Sequence, residues 1–107
     1  MTQKIDILIP VHNNLHLTKQ CLPGLTRDIE QANNNTFSYS ITVIDDGSTD
    51  GTEEWIKNNF PYITLLKGDG NLWWSGGINK GAKHAFLKNQ KDFVLLWNND
   101  IIPEAGY

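Results

Sequence analysis

The stretch Val43-Ile44-Asp45-Asp46-Gly47-Ser48-Thr49-Asp50-Gly51 decides how the rest of the chain is read. An apolar run ends abruptly in two carboxylates and a glycine turn, which places the acids at the tip of a buried strand, just ahead of a helix start. Open α/β sheets hold their ligands at such carboxyl ends. Two carboxylates there can accept hydrogen bonds from a base or ribose while a phosphate lies nearby. The turn therefore points to a nucleotide before it points to any reaction.

Outward from this turn the chain alternates strand and helix patterns. Ile5-Asp6-Ile7-Leu8-Ile9 reads as a strand covered on both faces and stopped by Pro10. Leu17, Cys21, Leu22, Leu25 and Ile29 recur at helical spacing behind a candidate cap, Asn14. Pro23-Gly24 inside that run predicts a kink or an early break. An asparagine-rich loop over 31–36 precedes a second strand over 40–45. Asp50-Gly51-Thr52-Glu53 fits a capping box, with Asp50 accepting from first-turn amides and Glu53 reaching back to the Asp50 amide. It would open a short helix that ends at Asn59.

A third strand over 62–66 leads into a turn at Gly68-Asp69-Gly70-Asn71. An amphipathic helix over 76–89 follows, with Ile78, Ala82, Ala85 and Phe86 inward and Lys80, Lys83 and Lys88 solvated. A fourth strand covers 93–97. The order β-α-β-α-β-α-β implies an α/β fold, a doubly wound and mostly parallel sheet with right-handed crossovers. At 107 residues it has room for one domain.

Composition narrows the function classes. Nine Lys and Arg against 12 Asp and Glu give a net charge of -3, which offers no electrostatic footprint for nucleic acid or an anionic membrane. The single Cys21 excludes an internal disulfide and suits a reducing compartment. No apolar run approaches the ~18 residues of a membrane span, and Met1-Thr2-Gln3-Lys4 feeds into a strand pattern, not a signal peptide. Cytoplasmic residence follows as the expectation, with peripheral attachment at the inner face of the membrane as a variant. A dinucleotide-binding dehydrogenase is disfavoured, because no Gly-x-Gly-x-x-Gly follows the first strand.

Polar residues concentrate in the loops over 10–14, 45–51 and 70–77 and in Asn98-Asn99-Asp100, all leaving the same sheet edge. In these loops the chain resembles the inverting, nucleotide-sugar glycosyltransferases of family 2, with the GT-A fold. Ile7-Leu8-Ile9-Pro10-Val11-His12-Asn13 looks like the family's opening strand and Pro-x-aromatic-Asn turn, and Val43 to Gly51 like its Asp-Asp-Gly-Ser signature. Gly70-Asn71-Leu72-Trp73-Trp74-Ser75-Gly76-Gly77-Ile78-Asn79-Lys80-Gly81 is similar to the Gly- and Asn-rich segment of the rhamnosyltransferase-like branch. Trp97-Asn98-Asn99-Asp100 resembles a degenerate Asp-x-Asp motif.

The resemblance implies roles at matching positions. Pro10 and His12 would border the base, with His12 where the family often places a stacking ring, and Asn13 would belong to the same nucleotide site. Asp45 and Asp46 would bind base and ribose. Gly76, Gly77 and Asn79 would shape the diphosphate side, and Asn99 would complete the nucleotide site. Asp100 would ligate a divalent metal, Mg²⁺ or Mn²⁺, which takes carboxylate oxygens. Asn98 stands at the motif's first acidic position, which removes one anionic ligand.

The activity implied is sugar transfer from a UDP, dTDP or GDP-type donor to a saccharide or lipid-linked acceptor, as in polysaccharide biosynthesis. An inverting transfer needs a general base, which in the family follows the metal motif. The chain runs only a few residues past Asp100, to Tyr107. Residues 1–107 are therefore expected to be a truncated GT-A domain, the donor-binding half without acceptor platform or catalytic residue. The alternative is a non-catalytic, nucleotide-binding or self-associating remnant. Uncovered apolar surface on such a half favours a homo-oligomer.

Simpler roles stand beside these. Asp45 and Asp46 could merely end a strand, Asp50 reads best as a helix cap, and Cys21 as packing. His12 alone among the histidines gains a role, through its loop. Of Trp73 and Trp74 at most one should be buried, the other lining the sugar site, while Lys80 and Lys83 read as solvated.

Overall fold

A computed structural model describes residues 2–99. Four strands, β1 (Gln3–Val11), β2 (Phe37–Asp46), β3 (Thr64–Gly68) and β4 (Phe93–Leu96), form one sheet in the order β3-β2-β1-β4, every pair parallel. The connections are α1 (Leu15–Ala32), α2 (Thr52–Asn59) and α3 (Trp73–Lys83), the last continued by a π-helical turn at His84–Lys88. The expected α/β order is what the chain adopts.

Register explains the two faces. Ile7 lies beside Ile41 and Ile9 beside Val43, so branched side chains of β1 and β2 share one surface. Leu22 and Leu25 of α1 and Ile56 of α2 belong to the same buried cluster, with Val11 and Ile63 at its margins. The other face carries Asp6, Leu8 and Pro10 beside Ser40, Thr42 and Ile44, and α3 covers it. There a Cβ added at Gly81 would stand 2.8 Å from Ile44 Cδ1 and 3.2 Å from Leu8, and one at Gly77 3.2 Å from Pro10 Cβ. These two glycines, one helical turn apart, let α3 lie directly on the strands.

Several expected boundaries move, each for a physical reason. β1 continues through Pro10, because pairing with β4 ends at Leu8 and a missing N–H on that side leaves no ladder bond unmade. α1 runs unbroken through Pro23, which is solvent-exposed, so the carbonyl that loses its donor faces water. The Thr26 hydroxyl donates to the carbonyls of Leu22 and Pro23 at 2.8 and 3.0 Å on the buried side. β2 begins earlier than expected and β3 two residues later, after a turn at Pro61-Tyr62. α3 starts at Trp73, three residues before the expected position, and this matters for the site.

Capping is also redistributed. Asn14 occupies the cap position of α1 in a left-handed conformation but makes no side-chain cap bond. The Leu15 amide donates instead to Asp50 Oδ2 at 2.9 Å. The other oxygen of Asp50 accepts from the Thr52 amide and hydroxyl, at 3.2 and 2.6 Å. Asp50 thus ties the starts of α1 and α2 together. Glu53 does not close a capping box; it pairs with Lys57 at 3.0 Å and with Lys67 of β3.

Candidate functional site

The loops after β1, β2 and β3 meet at the carboxyl edge of the sheet, and Asp46 organises them. As the last residue of β2, it turns its carboxylate toward the chain leaving β3. Oδ1 accepts the Gly70 amide at 2.8 Å, and Oδ2 accepts those of Leu72 and Trp73, both at 3.0 Å. Burial alone would raise this carboxyl. The amides of Leu72, Gly70 and Trp73 outweigh it and hold Asp46 below the ordinary carboxylate range, charged at neutral pH. Gly47 makes the approach feasible: its φ is +71°, and an added Cβ would meet the Gly70 amide nitrogen at 2.8 Å.

A second set of bonds locks the β1 loop to the same turn. His12 Nδ1–H donates to the Asp46 carbonyl at 2.5 Å, which fixes the ring beside the acid. The Asn13 amide donates to Ser48 Oγ at 2.7 Å, and Asn13 Oδ1 accepts the Thr49 amide at 2.8 Å. Asp45 is fully buried and accepts the Ser48 amide at 3.1 Å. It braces the turn from within.

Above these contacts lies a cavity of about 350 Å³, lined by Pro10, Val11, His12, Ile44, Asp46, Gly70, Trp73, Trp74 and Gly77. Its walls are mainly apolar with a few convergent polar groups, the usual make-up of a small-molecule site. The two tryptophans differ. Trp74 donates its indole N–H to Asn98 Oδ1 at 2.9 Å, linking the start of α3 to the exit of β4. Trp73 is 77% exposed and has φ +58°, a left-handed backbone rare for a bulky residue. Both are exposed, so the expectation that at most one is buried stands.

Of the residues singled out from sequence, Pro10, His12, Asp46 and Gly77 line this cavity together. Asn13 and Asp45 lie behind it, engaged with the Ser48-Thr49 turn. Gly76 and Gly77 sit inside α3 and not at its start; the Gly76 amide already donates to the Leu72 carbonyl at 3.0 Å. Asn79 is exposed on the helix, and Asn99 donates to Thr18 Oγ1 of α1 at 3.2 Å. The positive start of α3 faces the Asp46 carboxylate, which takes the first helical amide. Sequence reading did not foresee this service; the only local signal was the Gly68-x-Gly70 turn in the neighbouring loop.

A buried carboxylate inside β1 also escaped the sequence reading. Asp6 is 1% exposed and accepts the hydroxyls of Thr42 at 2.7 Å and Ser40 at 3.1 Å. Burial pushes its carboxyl above the usual range, although Thr42, Ser40, Lys91 and His84 pull it down.

Asp100, the expected metal ligand, lies outside the described residues. Among the described residues no group of three or more His, Cys, Asp or Glu side chains is arranged to hold a metal ion, and Asp46 is engaged with three amides.

Comparison with known proteins bears on the fold and the family. A mannosyltransferase from Pyrobaculum calidifontis, solved in complex with GDP-Man and Mn²⁺, superposes with a TM-score of 0.73 at 19% identity, over 95% of this chain and 29% of that one. TarS of S. aureus superposes with a TM-score of 0.61 at 23% identity, over 94% of this chain and 28% of that one. At such identities the likeness establishes a GT-A-like, Rossmann-type fold. Among curated proteins, the GTPase Der of Actinobacillus pleuropneumoniae serotype 3 is 40% identical over 58 residues, half of this chain and 12% of that protein.

The chain thus spans only a small part of each of these relatives. Within its 107 residues there is no Gly-x-x-x-x-Gly-Lys-Ser/Thr run to cradle GTP phosphates. The family model for glycosyl transferase family 2 matches residues 6–106, nearly the whole sequence and all four polar loops. The chain belongs to glycosyl transferase family 2.

Proposed function

We propose that the chain binds the nucleoside diphosphate of a sugar donor in the cavity at the carboxyl edge of its sheet, as the donor-binding part of a glycosyltransferase. The observation that carries this reading is the convergence of Pro10, His12, Asp46 and Trp73 on one apolar cavity at the place where open parallel sheets hold nucleotides. Membership of the family supplies the reaction class, glycosyl transfer. The mannosyltransferase solved with GDP-Man and Mn²⁺ supports a nucleotide-sugar donor and divalent-metal use. Asp100 is the proposed ligand for that metal, which when bound would neutralise the leaving diphosphate.

In this reading the residues divide the work. His12, held at Nδ1 by the Asp46 carbonyl, presents its ring to the cavity beside Pro10. Asp46 contributes by shaping the β3–α3 loop through the amides of Gly70, Leu72 and Trp73. Asp45 and Asn13 keep the β1 and β2 loops in register with each other. An inverting reaction, a saccharide or lipid-linked acceptor, a rhamnosyltransferase-like branch, a role in polysaccharide biosynthesis and cytoplasmic residence belong to the same proposal and rest on the sequence resemblance.

Isothermal titration of the 107-residue chain with UDP, dTDP and GDP, each with Mn²⁺, tests the reading. One of them should bind, and Asp46→Ala should lose that binding because the loop it gathers is released. Failure of all three to bind the unaltered chain overturns it. A second reading, self-association of a non-catalytic unit, is favoured by β4, an edge strand whose Phe93, Leu95 and Leu96 are all exposed. A dimer by light scattering, with no nucleotide bound, would select it.

A further inference from the structure

We infer that Trp73 is the base-stacking residue of this site, displayed at the cavity by the carboxylate of Asp46. The inference rests on the nucleotide-sugar reading above and adds to it which residue grips the base and how that residue is held.

Three independent observations meet at this side chain. Its backbone lies at φ +58°, where a residue with a Cβ is strained, and such strain persists only when surrounding bonds impose it. The imposing bond is visible: the Trp73 amide donates to Asp46 Oδ2 at 3.0 Å, alongside those of Leu72 and Gly70. Its indole is 77% exposed yet borders the cavity, and no hydrogen bond to it is found among the described residues. The neighbouring Trp74 shows the ordinary alternative, an indole N–H engaged by Asn98. A large apolar ring kept in water by a strained backbone gains most from a flat ligand that covers it.

The cavity's chemistry selects the base over the sugar. Pro10, Val11, Ile44 and the two indoles form an apolar slot whose polar groups are His12 and Asp46, and Asp46 is largely occupied with amides. Every nucleobase offers a π-face to such a slot, so stacking on Trp73 is tolerant of base identity. A pyranose needs hydrogen-bond partners around its rim, which this wall lacks. Trp73 therefore sets affinity for nucleotides as a class, leaving choice among bases to groups at the edge of the slot.

Titration of UDP, dTDP and GDP with Mn²⁺ into the unaltered chain and into Trp73→Ala, Trp73→Phe and Trp73→Gly tests this. Trp73→Ala should weaken every nucleotide that binds by roughly 5- to 150-fold, the span of alanine substitutions at base-stacking aromatics. Trp73→Phe should retain most of the affinity. Trp73→Gly should weaken binding as Ala does while raising the melting temperature, since glycine accepts φ +58° without strain. That pairing separates lost stacking from lost folding.

Unchanged nucleotide affinity in Trp73→Ala overturns the inference and leaves the nucleotide-sugar reading intact. So does quenching of tryptophan fluorescence by free mannose, without nucleotide, that is present in the unaltered chain and absent in Trp73→Phe, which would make the ring a sugar platform. If the unaltered chain binds none of the three nucleotides, the nucleotide-sugar reading itself fails, and this inference with it.

Discussion

On one face of the sheet Ile7, Ile9, Ile41 and Val43 meet Leu22, Leu25 and Ile56 in a continuous apolar cluster. On the other, Leu8 and Ile44 share the surface with Asp6, Ser40, Thr42 and Asp46. The first face is closed by α1 and α2, which contribute Leu22, Leu25 and Ile56 to its buried cluster. The second is closed by α3, held close through Gly77 and Gly81, and opens into the cavity where α3 begins. Apolar packing fixes where the strands lie, while charge and hydrogen bonds on the opposite face fix where the loops lie. Stability and ligand binding should accordingly respond to different substitutions.

The largest effect is expected on the apolar face. Leu22→Ala removes a fully buried side chain from α1 and should cost about 2–5 kcal/mol in urea unfolding, the range for such truncations. Nucleotide affinity, measured where the variant is still folded, should stay within a factor of a few. A large loss of affinity at unchanged fold would break the division between the faces.

Asp46→Asn tests the other face. An amide oxygen can replace only part of the carboxylate's set of three backbone donors, so unfolding free energy should fall by about 1.5–3 kcal/mol, typical of bonds to a charged group. Nucleotide binding should be lost with it. The pH dependence sharpens the point. The folded Asp46 carboxyl is depressed, so its stabilising contribution is present above the ordinary carboxylate range and disappears as pH falls through the lower folded value. The variant should lack that acid-side loss, as a urea-midpoint series against pH would show.

The parallel alternating order was legible in sequence because branched apolar runs and a helical period are local signals, and so was the turn at Asp45 to Gly51. Boundaries failed where a distant partner decides them. Pro10 and Pro23 read as breaks, yet Pro10 lacks its N–H where pairing with β4 has ended, and the carbonyl that Pro23 leaves without a donor faces water. Asp50 reads as a cap for α2, and its bond to the Leu15 amide spans 35 positions. Asp46 reads from its turn as a ligand for base and ribose, whereas its bonds to the amides of Gly70, Leu72 and Trp73 join residues 24 to 27 apart. For the same reason the sequence pattern starts α3 at Gly76, since nothing local indicates that a carboxylate takes the amide of Trp73 as the first of the helix.

Gly81→Ala should act in between. The added methyl would stand 2.8 Å from Ile44 Cδ1, which costs about 1–3 kcal/mol in overpacking, while alanine in a helix returns up to about 1 kcal/mol over glycine. A net loss near 1 kcal/mol is expected, and Ile44→Val should recover part of it by removing the colliding atom. Because Ile44 also lines the cavity, nucleotide affinity should shift modestly with the first change. An affinity that does not move would mean that α3 can lift from the strands without disturbing its own start.

The smallest effect is expected at Asp6, which shares a face with Asp46 and is shifted the opposite way. Desolvation raises its carboxyl despite the Thr42 and Ser40 hydroxyls and the nearby Lys91 and His84 side chains. A raised folded value means that the group's contribution to stability is fully present below the ordinary carboxylate range and is lost as pH rises through the folded value. Asp6→Asn, which stays neutral throughout, should therefore trail the unaltered chain at about pH 3 and close on it toward about pH 7. The gap should be roughly 0.5–1 kcal/mol, the scale of one neutral hydrogen bond. Asp46→Asn should show the reverse trend over the same range. Two variants on one face of one sheet, with pH slopes of opposite sign, would show that what separates these acids is their hydrogen-bond donors, two hydroxyls against three amides. Parallel slopes would mean that burial alone governs both.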